Sequence, residues 1–322
     1  MRDATRALHP VHISKARRAE PEAALTPEEI TEMRSGFGSL GWIARQLRAD
    51  IAVDVSLGQQ ATSDPRVRHL IAMNRCIENC KKDDKVCLRF DHNAVDWETC
   101  GVWVVADAAH GNVDAPELGE LGEKVKSQAG HVLGLCRGPH LQAEDDTVHA
   151  LEWSSASIKR VVRGTLSAEA YGVIEGAEAA EWLRYIVTEF RAPEMRIKHL
   201  ESGEMRPGAA WFTDSQSLQD VLVKDCGRPN DKRVRIVCAQ MKQMLLDPDT
   251  LVYWIDTLVN LADPLTKEGL DTVLLLRALS GCAFSPLPTA EAMAKKEKQR
   301  ADRARRKAQR DADIAASRAG RM

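Results

Sequence analysis

Four carboxylates occupy comparable places along this chain. Asp107 ends or interrupts the apolar run VWVVAD, and Glu169 lies in the first turns of a long amphipathic stretch. Asp214 closes the compact run AAWFTD, and Asp263 stands before Pro264, shortly after LVYWID. Ends of strands and starts of helices are where a mixed sheet collects side chains from different elements into one site. Carboxylates gathered there repel one another and call for divalent cations. Mg²⁺ suits a few carboxylates together with water and phosphate oxygens. Two such ions about 4 Å apart can activate a water and stabilise the leaving oxygen in phosphodiester cleavage. Each acid also has an ordinary structural explanation. Glu169 suits a helix dipole, Asp107 suits a turn before Gly111-Asn112, and Asp214 suits a cap at Ser215. Asp263 with Pro264 makes a good Ncap–N1 pair.

The elements that would position these acids can be read from periodicity. In RGTLSAEAYGVIEGAEAAEWLR (163–184), Leu166, Ala170, Val173, Ile174, Ala177, Ala180, Leu183 and, just beyond, Val187 recur at intervals of three and four. That spacing predicts one helix face, with Thr165 or Ser167 as its cap and Glu169 on the edge of the apolar stripe. Upstream, Thr26-Pro27-Glu28-Glu29 is a helix start, followed by helices over about 27–35 and 37–48. IAVDVSLGQQA continues as a further helix, and Asp64-Pro65 opens another through Val67, Leu70, Ile71, Asn74 and Ile77. The period then shortens. VCLRF (86–90), GVWVVADAA (101–109), HVLGLCR (131–137) and TVHALEWSS (147–155) read as strands, with an antiparallel meander among them. AAWFTD and LVYWID are two more strands, and helices are expected over 215–223, 231–246 and from Asp263, with a break near Gly269. The order predicts a mixed sheet flanked by helices. Trp182, Trp211 and Trp254 fall on faces expected to be buried.

Composition is that of an ordinary globular chain: 322 residues, 44% hydrophobic, 29% charged, net charge −2. The charge is uneven. Residues 295–322 carry eleven Lys/Arg against four Asp/Glu. That tail could meet a phosphate backbone or form a solvated helix. No apolar run reaches the roughly 18 residues of a membrane span, and MRDATRALHPVHISKARRAE has no apolar core of a secretory signal. The expectation is an intracellular protein, cytoplasmic or nuclear, with its eight cysteines reduced. Cys76 and Cys80 are one helical turn apart, but no second pair has zinc-ligand spacing. His140 and His149 flank AEDD (143–146), which reads as a solvated loop or, less simply, a metal site. Asp83-Asp84, set among lysines, reads as a solvated turn.

At the four acids the chain resembles the ribonuclease H domain of copia-type LTR retrotransposon polyproteins. The resemblance rests on ADAAHGN (106–112), LSAEAYGVIEGAEAAEWLR (166–184), TDSQSL (213–218) and VYWIDTLVNLADPLTK (252–267). LADPLTK is the most specific of these motifs. More weakly, GSLGWIARQLRADIAVDVS (38–56) and SDPRVRHLIAMNRCIENCKKDDKVCLRF (63–90) resemble the helical segment between reverse transcriptase and ribonuclease H in those polyproteins. The resemblance spans about 30–270. It implies an α/β, ribonuclease H-like, mixed five-stranded sheet flanked by helices and preceded by a small helical segment. The expected organisation is a disordered tail (1–25), a helical remnant of the reverse transcriptase C-terminal or connection segment (26–98), the ribonuclease H-like domain (99–285) and a charged, basic tail (286–322).

Carried over residue by residue, Asp107, Glu169, Asp214 and Asp263 become catalytic, metal-binding acids. The implied cofactor is a pair of Mg²⁺ ions, with Mn²⁺ as a substitute, and the implied reaction is cleavage of the RNA strand of an RNA–DNA hybrid. Arg160, Arg163, Lys232, Arg233 and Arg235 become contacts for the hybrid's backbone. Other parts of a retroelement polyprotein are implied partners. The sequence departs from the family where Ala109 and His110 replace an acid and a Trp, and no His lies between Asp256 and Asp263. No Tyr-x-Asp-Asp polymerase signature is present. Two other readings stay open: a non-catalytic nucleic-acid-binding remnant, and a related nuclease acting on DNA.

Overall fold

The structure is a computed structural model. It describes residues 7–82, 86–141, 146–194, 205–224 and 229–288, with isolated residues at 5, 290, 293, 294 and 305. The Asp83-Asp84 turn, most of AEDD, Cys226 and nearly all of the basic tail lie outside the described residues.

The first elements are helical: α1 (Lys15–Arg18), α2 (Pro27–Gln46), α3 (Ala52–Gln60) and α4 (Val67–Lys82). The start of α2 is a complete capping box. Thr26 Oγ1 accepts from the Glu29 amide, and the Glu29 carboxylate accepts from the Thr26 amide. Two helices were expected here, yet α2 runs unbroken through Gly36. A Cβ at Gly36 would stand 2.2 Å from the Met73 sulfur. The glycine therefore admits a neighbour rather than breaking the helix. Residues 7–25 also depart from the expected disorder. Leu8, Ile13 and Leu25 are buried in the core shared by α2 and α4, and Asn74 exchanges two hydrogen bonds with the backbone of Val11.

The sheet has six strands: β1 (Gly101–Val113), β2 (Lys126–Cys136), β3 (Asp146–Ser157), β4 (Ala209–Thr213), β5 (Thr250–Trp254) and β6 (Ala283–Phe284). Their order is β5-β4-β1-β2-β3-β6. β1, β2 and β3 form the expected antiparallel meander, while β4 runs parallel to both β1 and β5. β6 pairs antiparallel with the outer edge of β3, through Asp146 with Phe284 and Thr147 with Ala283. VCLRF, expected as a strand, does not join the sheet. Its Arg89 amide instead donates to Leu279 O, in the helix that precedes β6.

Helices cover both faces. α5 (Thr165–Arg191), α6 (Gln216–Val223) and α7 (Lys232–Met244) lie on one. On it Val102, Val104, Leu133, Leu135 and Trp211 meet Val173, Ala177, Val187, Leu218 and Met241. On the other face Trp103, Val105, Val132 and Phe212 meet α8 (Asp263–Thr266), α9 (Val273–Gly281) and the stretch just before α3. The helical segment thus joins the second core directly. Trp153 Nε1 donates to Ala44 O at 2.8 Å, and Gln128 Nε2 donates to Ser56 Oγ at 2.9 Å.

The long helix α5 carries the expected apolar stripe but differs in three ways. Its N-cap is Gly164, with no side-chain cap from Thr165 or Ser167. Trp182 is 66% exposed, because it stands two residues, about 200°, from the buried Ala180. Arg184 is buried instead. It donates to Pro207 O, Glu181, Asp247 and Thr250, which joins the far end of α5 to the start of β5 and the turn before it. Trp211 is buried as expected, whereas Trp254 is 44% exposed at the end of the edge strand β5.

α5 approaches the sheet without side chains in between at two positions. A Cβ on Gly172 would stand 2.7 Å from Asp107 O, and one on Gly176 would meet Val104, Ala106 and His131 at 3.1–3.2 Å. Replacing Gly172 by Val should therefore cost about 2–3 kcal/mol in urea unfolding. Gly38→Ala, in open space within α2, should add about 0.5–1 kcal/mol. A Gly172→Val protein as stable as the wild type would refute this account of the packing.

Candidate active site

Three of the four acids converge. Ligand oxygens of Asp107, Glu169 and Asp214 all lie within 4.8 Å of one another. The topology explains it. β1 and β4 are parallel and paired up to Val105 and Phe212, so two steps further along each strand bring Asp107 and Asp214 side by side. β4 ends at Thr213 while β1 continues to Val113. Asp107 is therefore an interior residue of its strand, neither a strand end nor a turn. Its side chain has the parity of Trp103 and Val105 and faces α8. Glu169 arrives from the other face, one turn before the glycine that brings α5 against Asp107. Asp214 does not cap α6, whose N-cap is Ser215. Trp254 Nε1 donates to Asp214 O at 2.9 Å, which pins the turn after β4.

Asp263 stands apart from this group. It is the first residue of α8, after an Ala262 N-cap. Its Oδ1 lies 2.5 Å from Lys267 Nζ, which is 3.5 Å from Asp107 Oδ2. The same Asp107 oxygen accepts from Thr266 Oγ1 at 2.5 Å. α8 is held against the sheet by Asn112 Nδ2 on Thr266 O and Ser155 Oγ on Leu265 O. Thr266 and Lys267 are the site residues that sequence reasoning did not single out, although both belong to the LADPLTK motif.

The electrostatics are those of crowded acids. Burial, then Asp107 and Asp214, pushes the Glu169 carboxyl up to about 9, against the Lys267 charge and a hydrogen bond from the Ala108 backbone. Burial also raises Asp107, with Asp263 adding to it and Lys267 opposing. Asp214 is raised by burial and by Asp107, and lowered by Asn260, Lys267 and Thr257. Burial works against the Lys267 ammonium, but Asp107, Asp263 and Asp214 overcome it and raise its pKa.

These residues fit a divalent cation. Glu169 is 6% exposed, and its Oε2 has no hydrogen-bond partner. A buried carboxylate oxygen left unpaired between two further carboxylates is costly unless a cation satisfies it. Among the described residues this is the one group of three or more His, Cys, Asp or Glu side chains so close together.

The other expected positions are scattered. Arg160 and Arg163 are exposed on the loop leading into α5, with the Arg160 guanidinium 5.2 Å from the centre of the Tyr171 ring. Lys232 and Arg233 are exposed and Arg235 is half-buried in the first turn of α7, where Asp231 accepts from the Arg233 amide as N-cap. Cys76 and Cys80 are buried with both thiols raised by burial, Cys80 to about 11, so they stand as protonated core residues. His149 Nε2 accepts from the Asp91 amide and its ring edge meets Phe90. None of the described helices is long and apolar enough to cross a membrane.

No protein-family model and no curated protein matches the sequence. Solved structures with a similar arrangement include the N-terminal RNase H domain of a Mycobacterium tuberculosis protein, at 18% identity and TM-score 0.32, covering 52% of this chain and 91% of that one. RNase H1 of Halobacterium salinarum has 18% identity and TM-score 0.32, over 53% of this chain and 97% of that one. A foamy viral protease-reverse transcriptase in complex with an RNA/DNA hybrid has 12% identity and TM-score 0.36, over 78% of this chain and 29% of that one.

The raised Glu169 carboxyl gives a pH test. An acid whose pKa is higher in the folded state than its ordinary 4.5 contributes stability below 4.5 and loses it as pH rises towards about 9. Without divalent ions, the melting temperature should fall as pH climbs through that window. Glu169→Gln should flatten the fall, and Mg²⁺ should raise the wild-type melting temperature at pH 8 more than that of the variant. A wild type indifferent to Mg²⁺ at pH 8 would count against a cation site.

Proposed function

We propose that this chain is a divalent-metal-dependent endonuclease of the ribonuclease H type, cutting the RNA strand of RNA–DNA hybrids in the reverse transcription of a copia-like retroelement. The observation that carries the reading is the convergence of Asp107, Glu169 and Asp214 with an unpaired buried Glu169 oxygen. The sequence resemblance at the same acids supports it and supplies the substrate class.

On this reading Asp107, Glu169 and Asp214 hold the metal at the open end of β4. A bound divalent ion would polarise the scissile phosphate and lower the pKa of the attacking water. Asp107 is oriented by Thr266, and the Asp214 backbone by Trp254. Hydrolysis joins the water oxygen to phosphorus and breaks one phosphodiester P–O bond. Arg160 and Arg163, on the loop next to Glu169, are proposed to meet the hybrid's phosphates, with Lys232, Arg233 and Arg235 extending that contact from α7. Preference for RNA would come from 2′-hydroxyls presented across the wide minor groove.

Incubation with a labelled RNA–DNA hybrid and Mg²⁺ tests this. The wild type should cut the RNA strand. Asp214→Asn should lower the rate by on the order of 10²-fold or more, because one ligand of the cation is neutralised. A folded wild type that makes no metal-dependent cut would leave a non-catalytic nucleic-acid-binding remnant. Faster cutting of duplex DNA would identify a DNA-directed nuclease on the same scaffold.

A further inference from the structure

The fourth acid of the LADPLTK motif does not face an open cation position. Asp263 Oδ1 lies 2.5 Å from Lys267 Nζ, and the same ammonium is 3.5 Å from Asp107 Oδ2. It therefore stands between Asp107 and Asp263, where the second ion of the pair that the resemblance implies would need Asp263 as a ligand. Asp263 and Lys267 are four residues apart, with Asp263 N-terminal, the favourable orientation for such a pair across one helical turn. Four residues is also the distance from Asp263 to the Lys267 amide, which donates to Asp263 O at 3.1 Å, so the turn holding the pair is closed by its own backbone.

Neighbouring contacts fix that turn in place. Thr266 donates to the Asp107 oxygen that Lys267 faces, and Asn112 and Ser155 hold the carbonyls of Thr266 and Leu265. The Asp263 carboxylate is mostly covered, with 15% of its side chain exposed. The unpaired Glu169 oxygen belongs to the residues grouped with Asp107 and Asp214, a group that does not include Asp263. The Lys267 ammonium is within ion-pair distance of Asp107 and Asp263, and its charge also favours the ionised forms of Glu169 and Asp214.

We infer that Lys267 is a built-in cation of this site: its ammonium fills the position between Asp107 and Asp263, so the folded chain takes up one divalent ion, at Asp107, Glu169 and Asp214, instead of two. This rests on the metal centre proposed above and changes its stoichiometry. Lys267 is then a positioning residue. It holds Asp107 towards the metal and neutralises the charge that a second ion would otherwise offset.

Titration with Mn²⁺ alone, following free Mn²⁺ by electron paramagnetic resonance, reads the stoichiometry without any catalysis. The wild type should bind one ion. Lys267→Met, similar in length but uncharged, should bind two, and Lys267→Arg should return to one. Asp263→Asn should still bind one, because Asp263 is not a ligand of that ion. Two ions on the wild type would overturn the inference with no variant needed, and so would a single ion on a folded Lys267→Met protein. No ion on the wild type would remove the metal centre itself. Failure to cut a hybrid, with one ion bound to wild type and two to Lys267→Met, would sink the nuclease reading and leave this inference standing.

Discussion

The packing of α5 on β1 is the constraint on which the site depends. A helix normally stands off a sheet by the depth of its side chains. Here Gly172 and Gly176 remove that layer where the helix crosses Asp107 and Val104. The backbones close, and a carboxylate one turn earlier reaches a carboxylate on the opposite side of the strand. A bulkier residue would not merely disturb a core. It would separate Glu169 from Asp107 by moving the whole helix. The burial that results raises the carboxyl pKa values, and it also makes a cation at this spot the obvious compensation.

The second organising feature is the different lengths of parallel neighbours. β4 stops at Thr213 while β1 continues eight residues past its last partner, to Val113. The gap beyond β4 is where Asp214 turns out of the sheet, where Trp254 fixes its carbonyl and where α8 brings Thr266 and Lys267. An acid in the middle of a buried strand is tolerable because Thr266 and Lys267 meet its carboxylate there.

Much of this was legible in the sequence because it is local. The meander, the α5 stripe, the capping box of α2 and the four acids are set by periodicity and by short motifs. What could not be read depends on partners far along the chain. Gly36 looks like a helix breaker until Met73 is placed against it. VCLRF has strand composition, but its backbone meets Leu279 and Cys282, almost two hundred residues further on. Trp182 and Trp254 look like core residues until the buried face of α5 and the open edge at β5 are known. Arg184 looks like a surface charge until Asp247 and Thr250 come round to meet it. Asp263 was grouped with the other acids by motif and chain order, and the ion pair with Lys267 that sets it apart is visible only in three dimensions.

The helices at the start of the chain acquire a different standing from the way they meet the sheet. Trp153 closes a hydrogen bond on α2, Gln128 closes one on α3, and Ala49 and Ala52 belong to the same core as Trp103 and Phe284. The segment is part of the cover of the sheet, not a tether in front of it. A fragment cut just before β1 would keep all four acids and lose the partners of Trp153 and Gln128, so in this fold the boundary of the chemistry and the boundary of the folding unit are different lines.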